Sequence, residues 1–187
     1  MISPGRAATS EELECSLLRR VVARDSQALE QLYMLYHRRL ARFLGRFIRD
    51  YALVEEIVND TLFVVWQQAA HFRGQSRVST WIMGIAWRRA HKALRAVPAL
   101  ATAGEVAELA GRDDIAETEM RELFARALST LPLEQRAVLE LTYYAGHSCE
   151  EIAAIVDCPV NTVKTRMFHA RRKLRELLPA LGVGEMP

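Results

Sequence analysis

The sequence predicts an all-α fold made of two small helical domains joined by a flexible acidic linker. Pro stays out of the interiors of the long periodic segments and Gly is rare there, β-branched alternation is scarce, and apolar residues recur at intervals of three and four. With 187 residues, half of them hydrophobic, 26% charged and only 6 prolines, the chain has enough apolar material for a core and too little proline for disorder. Residues 97–118 lose the helical period, contain Pro98, Gly104 and Gly111, and are rich in alanine and acid. They divide a unit over 11–96 from one over 119–181. A short helix over 103–110 fits inside them, and no internal repeat is visible.

In chain order, a leading helix is expected from Glu11 to Arg24. The next runs from Ser26, a candidate N-cap, to Arg49, with Leu29, Leu32, Tyr33, Tyr36, Leu40, Phe43, Leu44 and Phe47 as its apolar set. A third, from Ala52 to Ala70, puts Val54, Ile57, Val58, Leu62, Val65, Trp66 and Ala69 on one stripe. Its opposite face mixes Glu55, Glu56, Asn59, Asp60 and Gln67 with Phe63. A large aromatic among charges fits a docking surface or a contact with a neighbouring helix. FRGQSRVS at Phe72–Ser79 reads as a loop, with Ser79 placed to cap a helix running to Leu94. Val78, Trp81, Ile82, Ile85 and Arg89 share the inner stripe of that helix, and Thr80, Met83, Trp87 and His91 lie opposite. Trp87 among cations suits stacking on an unpaired base beside a phosphate backbone, the alternative being a core role.

The second unit starts with Glu119–Leu128, turns through Ser129 to Pro132, and resumes as Leu133–Tyr144. After Ala145 and Gly146, Ser148 opens a short helix to Val156. A break at Asp157, Cys158 and Pro159 precedes a last helix from Val160 or Asn161 to Leu178. A short helix, a tight turn and a longer basic helix form the pattern of a helix-turn-helix. Val163, Met167, Ala170 and Leu174 make the buried stripe of the last helix, and Ala153 is small enough for a close crossing. Asn161, Thr165, Phe168 and Arg172 face the other way, flanked by Lys164 and His169, as in a helix that reads base edges in the major groove.

The net charge of +2 conceals a segregation. Residues 71–95 hold Arg73, Arg77, Arg88, Arg89, Lys92 and Arg95 without an acid, and residues 159–175 hold Lys164, Arg166, Arg171, Arg172, Lys173 and Arg175, again without one. Between them, residues 97–118 carry a net −4. Two cationic zones are the footprint of a polyanion binder. No phosphate-binding glycine loop, HExxH or catalytic carboxylate pair is present, so enzymatic activity and a small-molecule substrate are not expected. Cys15, Cys149 and Cys158 are far apart and lack CxxC spacing; with His147 they read as packed thiols rather than a metal site, and neither a metal nor another cofactor is expected. No apolar run is long enough to span a bilayer, and MISPGRAATS lacks the apolar centre of a signal peptide, so direct membrane insertion is not expected and a cytoplasmic location is.

These residues resemble the extracytoplasmic-function (ECF) group of sigma-70-type RNA polymerase sigma factors. The likeness is carried by ALEQLYMLY at 28–36, EEIVNDTLFVVW at 55–66, FRGQSRVSTWIMGIA at 72–86 and SCEEIAAIVDCPVNTVKTRMFHARRKL at 148–174. It implies that the 11–96 unit is a region 2-like domain that binds core polymerase and the minus-10 element. The 119–181 unit is then a region 4-like domain for the minus-35 element. The polymerase would be met at its clamp helices and flap, with residues 52–70 docking on the clamp helices and Glu56, Asn59, Asp60, Phe63 and Gln67 as polymerase contacts. Arg73, Ser76, Arg77, Ser79, Thr80, Trp87, Arg88, His91 and Lys92 would open and read the minus-10 element as a single strand. Asn161, Thr162, Lys164, Thr165, Phe168, His169 and Arg172 would read the minus-35 duplex. The resemblance further implies an alternative sigma factor of a stress or environmental response, held in check by an anti-sigma factor. Three positions depart from the family pattern: Arg88 stands where Asn is common, Lys92 where Asp or Asn is, and His169 where Arg is frequent. The first two bear on which minus-10 sequence this chain reads.

Overall fold

A computed structural model describes residues 10–96 and 125–177, and among these every regular element is helical. The acidic linker, its candidate short helix and the first part of the 119–128 helix lie outside the described residues. The first body comprises α1 (Ser10–Val22), α2 (Ser26–Leu44), α3 (Tyr51–Gln68), a 3-10 turn at Ala69–His71, and α4 (Val78–Ala96). The second contains helical residues 125–129, then α5 (Leu133–Tyr143), α6 (Cys149–Val156) and α7 (Val160–Leu177).

Carboxylate caps set the helix starts in the first body. Asp25, not Ser26, caps α2: its side chain accepts from the backbone N–H of Gln27 at 2.9 Å and Ala28 at 3.2 Å. An anionic cap satisfies two orphan donors and also meets the positive end of the helix dipole. Arg20 Nε donates to the same carboxylate at 2.9 Å, and the guanidinium and backbone donors together hold Asp25 below the usual carboxylate range. Asp50 caps α3 in the same way, one residue earlier than the sequence pattern suggested. α2 stops at Leu44 rather than Arg49, and Phe47 and Ile48, beyond its end, still turn into the core.

α1 packs on α2, α2 on α3, and α3 on α4, while α4 also reaches α1 and α2. Leu17, Val21, Leu32, Tyr36, Leu40, Val58, Val65 and Ile82 lie within this bundle with almost no exposure. In the second body α7 packs on both α5 and α6, burying Leu141, Ile152, Ile155 and Val163. The two bodies also touch. α4 lies against α6, and their buried residues form one continuous cluster.

Candidate nucleic-acid interface

The helix-turn-helix is built by local chemistry at α6. Ser148 Oγ accepts from Glu151 N–H at 3.2 Å and Glu151 Oε2 accepts from Ser148 N–H at 2.9 Å, a reciprocal capping box. Asp157 ends the helix in a left-handed conformation, φ 53°, and Cys158 and Pro159 complete a three-residue turn into α7. α7 buries Val163, Met167 and Ala170 as expected, with Leu174 half-buried.

The outward side of α7 carries exposed Asn161, Lys164, Thr165, Phe168 and Arg172, with Thr162 and His169 half-buried beside them. Phe168 is 62% exposed, a large apolar surface left in water on a helix otherwise polar on that side. The basic residues divide by direction. Arg171 reaches Met167 Sδ at 3.1 Å and lies over the Tyr143 ring, Lys173 Nζ donates to the Thr130 carbonyl at 2.6 Å, and Arg166 approaches Cys158 Sγ. These three tie α7 to its own body. Lys164 and Arg172 remain toward solvent, Arg172 sharing only a 3.9 Å surface pair with Glu176, which contributes little and yields readily to a phosphate.

The second cationic zone is less open than the sequence suggested. Arg73, Arg77, Arg88 and Lys92 are exposed, and Ser76 is half-buried with its hydroxyl on the Arg77 carbonyl. α4 begins at Val78, so Ser79 is a buried residue of its first turn rather than its cap; Trp81 N–H bonds the Arg77 carbonyl instead. Thr80 is buried and His91 half-buried. Trp87, expected on an open face, is only 4% exposed and packs edge-on against Phe47 at 5.5 Å and near Phe43 at 6.3 Å. Trp87 is therefore a core residue of its own body, held by the aromatic rings at the end of α2, and the same helix also lies against α6.

On α3, Glu56, Asn59, Phe63 and Gln67 are exposed together, Phe63 at 57%. Phe63 thus does not pack into a neighbouring helix. Asp60 is half-exposed and already engaged by the Arg89 guanidinium of α4. Glu55 is drawn instead to His37 at 2.9 Å, whose hydrogen bond holds the carboxyl below its ordinary range.

Sequence reasoning missed the seam between the bodies. Arg46 Nη1 donates to Glu140 Oε2 at 2.7 Å with both side chains buried, Arg136 donates to the Arg46 carbonyl, and the Arg46 guanidinium lies on the Tyr144 ring. Burial pushes the Glu140 carboxyl up against the opposing pull of both arginines, and pushes Arg136 down. Thr80 Oγ1 donates to Glu151 Oε1 at 3.4 Å, Arg77 approaches the same oxygen at 3.5 Å, and His91 meets Glu134 at 3.5 Å. Beside them a cleft of about 610 Å³ is lined by Arg88, His91, Lys92, Arg95 and Arg166 facing Glu134 and Asp157. The one available signal was Gly84, a glycine in mid-helix with no turn to justify it. The three cysteines are free and half-buried, and no cluster suited to a metal ion occurs among the described residues.

Residues 32–97 match the family described as sigma-70 region 2, and residues 121–174 the family described as sigma-70, region 4. The ECF RNA polymerase sigma-E factor of Escherichia coli K12 is 30% identical over 173 residues, covering 84% of this chain and 90% of that protein. The RNA polymerase sigma-H factor of Pseudomonas aeruginosa is 28% identical, covering 92% and 97%. Among solved structures, CnrH in complex with the cytosolic domain of CnrY aligns over 90% of this chain and 98% of its own, with TM-score 0.69 and 24% identity. The sigma factor RpoE of Bartonella quintana, in complex with the anti-sigma factor NepR, aligns over 80% and 96%, with TM-score 0.61 and 26% identity.

Proposed function

Because the chain belongs to the ECF group of sigma-70-type RNA polymerase sigma factors, we propose a residue-level division of labour for it as an alternative sigma factor. The unit over 11–96 binds core polymerase and the minus-10 element, residues 97–118 link, and the unit over 119–181 binds the minus-35 element. The observation that carries the reading is the outer side of α7. A capped, tightly turned helix-turn-helix presents Asn161, Lys164, Thr165, Phe168 and Arg172 outward while Arg166, Arg171 and Lys173 are tied to their own body. Hydrogen-bonding and cationic side chains at the front of such a helix suit base edges and phosphates, and Phe168 suits a thymine methyl.

On α3 the exposed Glu56, Asn59, Phe63 and Gln67 form the polymerase-docking face, with Asp60 set by Arg89. Arg73, Arg77, Arg88 and Lys92 supply charge for the separated strand, with Ser76 and His91 beside them, while Ser79, Thr80 and Trp87, assigned to the same strand by the resemblance, are buried in this structure and shape α4 from within. The factor contributes binding energy rather than bond chemistry: it places the polymerase and holds the bubble, and nucleotide transfer stays with the polymerase. It acts in the cytoplasm, and among the described residues no helix is long and apolar enough to cross a membrane. The relative bound to NepR supports an anti-sigma partner for this chain too.

The test is footprinting of promoter DNA by core polymerase reconstituted with the full chain. Protection of the minus-35 duplex, together with permanganate-reactive thymines at the minus-10 element, is expected. Lys164→Ala should weaken the first and leave binding to a pre-opened template intact. Footprints that do not depend on the added chain would refute the assignment.

A further inference from the structure

Of the five histidines in the chain, three face a carboxylate of the same chain: His37 meets Glu55 at 2.9 Å, His91 meets Glu134 at 3.5 Å, and His147 lies 3.6 Å from Glu151. His71 is exposed on the first body. His169 has no carboxylate partner among the described residues; it is half-buried on the outer half of α7, its ring edge-on to Phe168 with centroids 5.5 Å apart. At roughly 100° per residue it sits about 40° round the helix from Thr165 and about 60° from Arg172, on the flank opposite Lys164. A helix lying in the major groove turns its outermost residues to base edges and its flanks to the two phosphate walls. Lys164 thus takes one wall and His169 the other.

The charges around His169 leave the anion for an imidazolium to come from outside the protein. One turn away on α7 are Arg166, directed at Cys158, Lys173, held by the Thr130 carbonyl, and Arg172, whose only ion pair among the described residues is with Glu176 at 3.9 Å. The elements packed against α7 carry Glu134, Arg136, Glu140 and Tyr143 on α5, Cys149, Glu150 and Glu151 on α6, and Arg126 ahead of α5. Their carboxylates are engaged elsewhere: Glu134 faces His91, Glu140 faces Arg46, Glu151 accepts from Ser148 N–H and Thr80, and Glu150 feels Lys164. We infer that minus-35 binding by this chain is linked to a proton at His169: on meeting a backbone phosphate the ring takes up a proton from solvent and donates a charge-assisted hydrogen bond, so the grip tightens as pH falls. The inference rests on the minus-35 role proposed for α7. Histidine changes charge between about pH 5 and 8, and an adjacent anion favours its charged form. The complex therefore binds more protons than the free partners, and the state that binds more protons gains as pH falls.

The test measures binding of polymerase reconstituted with the full chain to a rhodamine-labelled duplex carrying the minus-35 sequence protected in the footprints, by fluorescence anisotropy over a salt series at about pH 6 and about pH 8. The parent should bind about fivefold more tightly at the lower pH, the margin of a charge-assisted over a neutral hydrogen bond, and its slope of log affinity against log salt should be steeper there by about 0.9. His169→Arg, whose cation does not titrate in this range, should keep the tight affinity and steep slope at both pH values, and His169→Gln the weak affinity and shallow slope at both. Both changes fall outside the buried stripe of Val163, Met167 and Ala170, and circular dichroism at each pH checks that helix content is kept. The polymerase's own response to pH is common to all three and cancels in their ratios. A parent whose salt slope is the same at both pH values, or a His169→Gln chain as pH-dependent as the parent, overturns the inference. Arg172→Ala separates it from the reading beneath: lost affinity in that variant beside a pH-flat parent overturns the proton linkage alone, and unchanged affinity beside a pH-flat parent overturns the role of α7 as well.

Discussion

Met167 and Phe168 are neighbours on α7 with opposite expected phenotypes, and truncating each to alanine separates packing from recognition. Met167 is 7% exposed and sits on the stripe that joins α7 to α5 and α6. Its truncation removes buried methylenes and leaves a cavity, at a cost of about 2–5 kcal/mol. Phe168 is 62% exposed, so Phe168→Ala forfeits little burial, and the better helix propensity of alanine offsets part of that. Its stability should stay within about 0.5 kcal/mol of the parent. On DNA the order reverses. Losing one base contact costs about 1–3 kcal/mol, roughly 5- to 150-fold in affinity. Urea unfolding of the full chain gives the first quantity, and binding of the reconstituted polymerase to a minus-35 duplex gives the second. If Phe168→Ala unfolds as early as Met167→Ala, or binds the duplex as the parent does, the outward placement of Phe168 has no recognition role and the argument fails.

Lys164→Ala and Arg172→Ala should each lower the slope of log affinity against log salt by about 0.9, measured by duplex binding over a salt series, whereas Arg171→Ala, tied to Met167 and Tyr143, should leave it nearly unchanged. Ser148→Ala removes the acceptor of the capping box and should destabilise the chain by about 1 kcal/mol in urea, with Ser148→Asp restoring most of it. Burial of His147 depresses its pKa, and its Nε2 has no hydrogen-bond partner. The unfolded chain therefore takes up a proton at higher pH than the folded one. Stability from this group is complete above the unfolded value of about 6.5 and falls as pH drops through the lower folded value. His147→Leu should flatten that part of a stability–pH profile.

Much of the fold was legible in the sequence because amphipathic periods and turn residues report directly on helices. Val163, Met167 and Ala170 announced the buried stripe of α7, and Ser148 announced the start of α6. Boundaries were less legible where two residues competed for one cap: Asp25 prevailed over Ser26, and the Arg77 carbonyl took the bond that a Ser79 cap would have replaced. The seam was hidden for a different reason. Arg46 and Glu140 stand 94 positions apart, and neither belongs to a periodic or motif pattern. Trp87 was misplaced for another reason. Its neighbours His91 and Arg88 make that side read as surface, while Phe43 and Phe47 from the end of α2 make Trp87 interior.

The most direct test of the central claim is run-off transcription by core polymerase on fragmented genomic DNA, with and without the full chain. The account predicts discrete new start sites that share a minus-35 and a minus-10 sequence, lost together with Arg172→Ala and Lys164→Ala combined. Start sites identical with and without the chain would contradict it.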